Sequence, residues 1–157
     1  MIHPVKTLAL HVGRWAGAAA FFPLLGVVLG LSINDAALAG FFGVFVIHSV
    51  VGLGGSYFLH EAAHLVLLSK YPTIEKVEVT ASWARFSVHP SGSVTPLQAI
   101  GVGLSGPVAC CIVGAVLWQV GSPLAAWYLG HLVFLLPVFG DGKAVLMSLR
   151  RLRAVSS

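Results

Sequence analysis

Charged residues are scarce in this chain. Of its 157 residues, 9% are charged and 57% are hydrophobic, and the mean hydropathy is +0.93. A soluble globule of this size leaves a large part of its surface in water and has no interior large enough for so many apolar side chains. The lack of charge therefore excludes a soluble globular domain, and uncharged runs of about 20 residues indicate an integral membrane protein.

Cysteine is also scarce, with only two residues, Cys110 and Cys111. They are adjacent and lie inside an apolar run, which excludes a disulfide-stabilised scaffold. Their spacing also does not match that of a cysteine-based zinc site. We interpret both as small apolar side chains that fill space within a helix.

Positive charges lie at the ends of the apolar runs, so the net charge of +4 does not indicate a nucleic-acid partner. The connections at 34–35 and 121–123 contain no Lys or Arg. The other boundaries carry these positive residues: Lys6, Arg14, Lys70, Lys76, Arg85, Arg150, Arg151 and Arg153. This distribution predicts four membrane spans with both termini in the cytoplasm.

We predict an all-α polytopic membrane protein that forms one membrane-embedded domain over residues 1–157. The predicted transmembrane helices cover about residues 15–33, 38–69, 97–120 and 124–139. The second apolar run, Ala36 to Ser69, would make a helix of about 51 Å, whereas the hydrocarbon core is about 30 Å thick. We therefore expect this span to tilt, to project beyond the core or to break. The glycines of 52–55 are the natural place for a break, because glycine weakens helices.

The polar segment 70–96, between the second and third spans, predicts a short β-hairpin over about residues 74–89. Apolar and polar residues alternate on both sides of a turn. The alternating apolar positions are Val77, Val79, Ala84, Phe86 and Val88. Farther along, the "GDG" at 140–142 is expected to interrupt the last apolar run before a short helix with a basic end.

His60, Glu61 and His64 lie in "FLHEAAHLVL", within the second apolar run. Residues four apart on a helix differ by about 6 Å of rise and about 40° of rotation, so both imidazoles leave the same face. This geometry suits two nitrogen ligands of one zinc ion, with the neighbouring glutamate as a general base for water. The alternative is a purely structural polar cluster, but an ionisable side chain at bilayer depth costs about 2.5–3.5 kcal/mol and usually has a role.

A catalytic zinc site needs a third protein ligand, and Asp141 is the candidate. The other aspartate, Asp35, lies at the opposite side of the membrane from the motif. His64 lies six residues before Lys70, or about 9 Å along a helix from that boundary. Asp141 lies nine residues before Arg150, or about 13 Å from the same side. The alternative for Asp141 is a polar turn at the membrane edge.

These motifs resemble those of the site-2 protease family of intramembrane zinc metalloproteases, over about residues 55–150. That family has His-Glu-x-x-His on one transmembrane helix and an Asp-Gly, after a Leu-Pro, on a later one. The corresponding segments here are "HEAAH" at 60–64 and "LLPVFGDG" at 135–142. Gly106 and Pro107 correspond to the Gly-Pro that the family often has on the intervening helix.

The resemblance implies that His60, His64 and Asp141 bind one zinc ion per chain and that Glu61 activates water. Two positions depart from the family pattern. Phe134 stands three before the proline, where the family usually has an Asn that is associated with substrate handling. Three residues, where the family usually has four, separate that proline from the aspartate.

We therefore predict an intramembrane zinc metalloendopeptidase that hydrolyses a peptide bond of a transmembrane or membrane-associated protein. One alternative is a non-catalytic membrane chaperone or regulator on the same fold. Another alternative is a small zinc transporter, for which His48 and His131 would be further metal ligands. Packing is the simpler role for both histidines. The short chain and the absence of organelle signals favour a prokaryotic plasma membrane.

Overall fold

Four long helical stretches dominate the computed structural model of the chain, which describes residues 2–81 and 86–156. Each stretch is long and apolar enough to cross a membrane. They are Pro4–Ser32, Ala36–Leu68, Pro96–Gln119 and Ala125–Ala154. At most 28% of the most apolar window in any of them is buried inside the protein, so most of these apolar side chains face outward. The predicted all-α membrane fold, with about four spans and a hairpin insert, is confirmed.

The first helix, α1 (Ile2–Ser32), begins well before the predicted start at residue 15. Lys6 and Arg14, which precede the predicted start, lie within this helix. Lys and Arg are good helix formers, and their long side chains extend away from the helix axis. The chain reverses at Asn34, which has a left-handed φ of 54°. The Asp35 carboxylate then accepts a hydrogen bond from the Leu38 N–H and begins the second span.

The second span is one continuous helical stretch, so the break at 52–55, one of the three alternatives predicted for this span, does not occur. α2 (Ala36–Ile47) passes into a π-helical segment (His48–Gly54) and then into α3 (Gly55–Leu68). A break at bilayer depth would expose backbone N–H and C=O groups that lipid cannot satisfy. The glycines widen the helix into a π-helical segment, which keeps the backbone hydrogen-bonded.

The polar segment contains an antiparallel β-hairpin, as predicted. β1 (Ile74–Ala81) pairs with β2 (Phe86–Gly92), and the second strand ends later than the predicted hairpin. The predicted alternation at Ala84 and the positive charge at Arg85 lie outside the described residues.

A small apolar core forms where the hairpin meets the helices. Leu8 and Val12 of α1 and Leu65 of α3 are all buried and contact one another. Three partly buried hairpin valines pack against them: Val77, Val79 and Val88. This packing holds the hairpin beside the C-terminal half of α3, which carries the His-Glu-x-x-His motif.

The third span, α4 (Pro96–Gln119), packs against both α3 and the last helix of the chain. A capping box begins it: the Thr95 hydroxyl accepts the Gln98 N–H, and the Gln98 side chain accepts the Thr95 N–H. Because α4 contacts helices from both halves of the chain, it fixes how closely the motif and the later aspartate approach.

The fourth span is interrupted before the "GDG" and not within it, so the predicted interruption at 140–142 is wrong. Its elements are α5 (Ala125–Leu129), a 3-10 helix (Gly130–Leu135) and α6 (Gly140–Ser156). The chain leaves the helical region at Leu136, with φ −66° and ψ 142°. Leu136 precedes Pro137, and a residue before proline avoids the helical region for steric reasons. The "GDG" instead begins α6.

Candidate metal centre

Two buried histidines share one face of α3. His60 and His64 are exposed by 3% and 7%, and their Nε2 atoms lie 3.1 Å apart. Their rings meet edge to face, with centroids 4.8 Å apart. The shared face follows from the spacing, since side chains four residues apart on a helix are neighbours.

Asp141 reaches both histidines from the first turn of α6. Its Oδ2 atom lies 2.9 Å from His60 Nε2 and 3.4 Å from His64 Nε2. The break before α6 directs this first turn toward α3, although Asp141 and His60 are 81 residues apart in sequence. The structure thus brings the three predicted ligands together, with their donor atoms within 4.8 Å of one another. Their binding of zinc stays a prediction.

The backbone of α4 fixes the orientation of the His64 ring. His64 Nδ1 lies 2.7 Å from the Val102 carbonyl oxygen. A carbonyl oxygen only accepts, so His64 Nδ1 carries the proton and Nε2 carries the lone pair. Ser105 Oγ lies 3.1 Å from the same nitrogen and donates to the Val102 carbonyl at 2.8 Å. His64 Nε2 is therefore an acceptor that faces His60 and Asp141.

The donor set fits a zinc ion. Two imidazole nitrogens and a carboxylate oxygen are the ligand types of catalytic zinc sites with three protein ligands. The lone pair of His64 Nε2 and the Asp141 carboxylate lie 3.4 Å apart, and both are acceptors. His64 is buried and Asp141 is partly buried, and two acceptors this close repel each other unless a proton or a metal cation compensates them. A cation site requires several acceptor groups that face one point, and this arrangement provides them.

A cleft of about 810 Å³ opens onto these residues. Glu61, the second residue of the motif, lines it beside His60, His64 and Asp141. The rest of the wall is mainly apolar and consists of Tyr57, Leu68, Val88, Pro90, Val94, Ala99, Val102, Gly103, Phe134, Phe139, Gly140 and Ala144. Three of these, Val88, Pro90 and Val94, belong to the polar insert, so the cleft lies between the insert and the membrane helices.

Gly106 of α4 leaves room for both imidazoles. A Cβ atom at this position would lie 2.7 Å from His64 Nε2 and 2.9 Å from His60 Nδ1. These separations are shorter than real Cβ contacts, so any side chain here would have to displace the histidine rings. This steric requirement accounts for a glycine in the middle of a transmembrane helix.

If the site binds zinc as predicted, the Gly106→Ala variant is expected to bind it about 5–150-fold more weakly than the wild type, because overpacking of this kind typically costs about 1–3 kcal/mol. Zinc affinity would be measured by competition with a chelator in detergent-purified protein. Gly43→Ala is the matched control, since nothing lies within 4 Å of a Cβ added there. Unchanged zinc affinity in folded Gly106→Ala would contradict the proposed role of this space.

His131 and Phe134 contact the site and were not predicted as part of it. His131 is 6% exposed, and its Nδ1 lies 3.1 Å from His60 Nδ1. The Phe134 ring packs against both histidines, with centroids 5.1 Å from His60 and 5.2 Å from His131. No motif spacing links His131 to the histidine pair, whereas Phe134 stands three residues before Pro137, at one of the two departures described above. The signal in the sequence for His131 was its place inside an apolar segment, because an ionisable side chain at bilayer depth costs free energy and usually has a role.

Cys110 also lies beside the histidines. Its Sγ donates to the Ser56 carbonyl oxygen at 3.3 Å, and it is fully buried. Sγ is within 4.8 Å of ring nitrogens of His60 and His131, a second group that could hold a metal ion. His48 belongs to neither group: its Nδ1 accepts a hydrogen bond of 2.8 Å from Trp127 Nε1.

Comparisons of the chain with protein-family models, with curated proteins and with solved structures gave no match. The residues themselves show a group of two histidines and Asp141 that could hold a metal ion. They also show a cleft that the Glu61 carboxylate lines and whose other walls are mainly apolar.

Proposed function

We propose that the protein is an intramembrane zinc metalloendopeptidase that hydrolyses a peptide bond of a transmembrane or membrane-associated protein. The observation that carries this proposal is the convergence of His60, His64 and Asp141 at a cleft that Glu61 also lines. The resemblance to the site-2 protease family supports it, because the same residue types occur in the same order.

One zinc ion per chain would be held by His60 Nε2, His64 Nε2 and an Asp141 carboxylate oxygen. Bound zinc would supply Lewis acidity, which makes water a better nucleophile and polarises the scissile carbonyl. The protein keeps the ligands in place through the hydrogen bond of His64 to the α4 backbone and through the position of Asp141 in the first turn of α6. Such contacts to the ligands set their orientation.

Glu61 is the proposed general base. Its carboxylate would take a proton from the attacking water and pass it to the amine nitrogen that leaves. It lines the cleft and is partly buried, so it can reach a molecule that enters there. Glu61 is also adjacent to His60 on α3, which ties its position to that of the ligands.

The cleft suits an unwound and mainly apolar peptide. In a transmembrane helix the peptide bonds are hydrogen-bonded to residues four positions away, so a substrate has to unwind locally before hydrolysis. The walls that Phe134 and Phe139 contribute are apolar, and the insert residues Pro90 and Val94 add a wall on the side of the polar segment. This surface can cover apolar side chains of the unwound segment while its backbone approaches Glu61.

The proposed location is a prokaryotic plasma membrane with both termini in the cytoplasm. The distribution of Lys and Arg supports this orientation, since the hairpin segment and the end of α6 are basic whereas the 34–35 and 121–123 turns are not. The motif would then lie toward the cytoplasmic side, where water can enter.

The test is cleavage in proteoliposomes that contain the purified protein and test substrates in which different transmembrane helices join two soluble reporters. We expect cleavage of at least one substrate, loss of cleavage after a zinc chelator, and recovery on addition of zinc. The same vesicles report zinc uptake through an enclosed dye. Zinc uptake without cleavage would identify a transporter, and substrate capture without cleavage would identify a chaperone or regulator.

A further inference from the structure

His131 shares a hydrogen bond with His60 on the side of that ring that faces away from Asp141. The two Nδ1 atoms are 3.1 Å apart, and His60 Nε2 is 2.9 Å from Asp141 Oδ2. One proton lies between the two Nδ1 atoms, so one histidine donates and the other accepts. Which histidine donates determines whether His60 Nε2 carries a proton or a free lone pair.

The two arrangements have opposite consequences for metal binding. If His131 donates, a neutral His60 carries its proton on Nε2, donates it to Asp141 and has no lone pair there for a metal. If His131 accepts, His60 carries its proton on Nδ1, and Nε2 has a free lone pair that faces His64 and Asp141. Only the second arrangement makes His60 a ligand.

The two ligand histidines differ in how they are held. The partner of His64 is the Val102 carbonyl, which can only accept and therefore fixes the tautomer. The partner of His60 is a side chain that can take either role. The His131 ring is buried and packs against Phe134, which also packs against the His60 ring, so all three rings hold one another in place.

We propose that His131 is a positioning residue for the metal centre: its Nδ1 accepts the His60 Nδ1–H and so keeps His60 Nε2 available as a ligand. The inference rests on the zinc site of the proposed function, but it concerns metal binding and needs no substrate. Partners of this kind typically contribute about 10–100-fold to metal affinity or activity.

The experiment measures zinc affinity by chelator competition in detergent-purified protein, for the wild type and three variants. His131→Phe keeps a ring and removes the acceptor. His131→Asn places an amide oxygen where Nδ1 was, whereas His131→Gln places it about one bond farther out. We expect zinc to bind about 10–100-fold more weakly to His131→Phe. His131→Asn should recover most of the loss and His131→Gln less. His48→Phe is the control, since His48 pairs with Trp127 outside the site.

Cobalt in place of zinc allows a second measurement, which a general loss of stability would not affect in the same way. The visible absorption of bound cobalt reports its ligand geometry, so His131→Phe should change the spectrum and His131→Asn should restore it. If His131→Phe does not fold, the comparison of His131→Asn with His131→Gln still tests where the acceptor must lie. Equal zinc affinity in these two folded variants would overturn the proposal.

Two further outcomes would also overturn it. A thiolate-to-cobalt absorption band that Cys110→Ser removes would show that Cys110, with His131, binds the metal directly. A folded wild type that binds neither zinc nor cobalt would remove both the positioning role and the metal centre. By contrast, zinc binding with the expected dependence on residue 131, in a protein that cleaves no test substrate, would support the inference and count against the proposed peptidase.

Discussion

The Glu61→Gln variant is expected to bind zinc as the wild type does and to cleave about 10²–10⁴-fold more slowly. Glutamine keeps the size of the side chain and its hydrogen-bonding ability but cannot take a proton from water. The three predicted ligands are other residues, so the zinc content should stay near that of the wild type. Cleavage rate and zinc per chain would be measured on the same preparation, which separates proton transfer from metal binding.

The matched control for this variant is Glu75→Gln. Glu75 is an exposed residue of β1, and it does not line the cleft, so its neutral variant should cleave at the wild-type rate. Wild-type cleavage by Glu61→Gln would show that another group is the base. A wild type that binds zinc and test substrates but cleaves none would favour the chaperone or regulator.

His64→Ala and Asp141→Ala are each expected to lower the zinc content from about one per chain in the wild type to nearly none at limiting zinc. Each substitution leaves two of the three protein ligands of the predicted site. In the Asp141 variant the negative charge that faces both histidines is also lost. Zinc per chain would be measured by elemental mass spectrometry after gel filtration in detergent.

Asp35→Ala is the control for the Asp141 variant, because it removes an aspartate outside the predicted site. Asp35 caps the start of α2 through its hydrogen bond to Leu38 and is exposed, so its removal should leave the zinc content unchanged. Zinc retained by Asp141→Ala but lost from His64→Ala would mean that the third ligand is another residue. His131 and Cys110 are then the first to test, since both have donor atoms near His60.

Much of the fold could be predicted because membrane insertion depends on local composition. A run of about 20 apolar residues is sufficient to span the hydrocarbon core, so four runs predict four helices. Strict alternation in the polar segment likewise predicts a hairpin. The errors arose at the glycines of 52–55 and 140–142, where local propensity favours a break. In the structure the first set lies within a continuous helical stretch, because backbone groups in lipid must stay hydrogen-bonded. The second set begins α6, because the chain has already left the helical region at Leu136, before Pro137.

The histidine pair and Asp141 differ in what made them predictable. The shared face of His60 and His64 needs only the helical period, which four residues determine. The approach of Asp141 to His60 depends on a contact between residues that are 81 positions apart in sequence. Depth along the helices and the motif order suggested Asp141, but its direction depends on Pro137, which ends the preceding helix and sets where α6 begins.

The amino-acid sequence by itself determined the class of protein, the number of spans, the hairpin and the face on which two imidazoles lie, because these features depend on composition and on periods of two and 3.6 residues. The tertiary structure decided which groups surround those imidazoles. Gly106 makes room for them, Val102 orients His64, and His131 contacts His60. Such contacts join helices that are distant in sequence, and the packing of α4 against α3 and α6 brings them together.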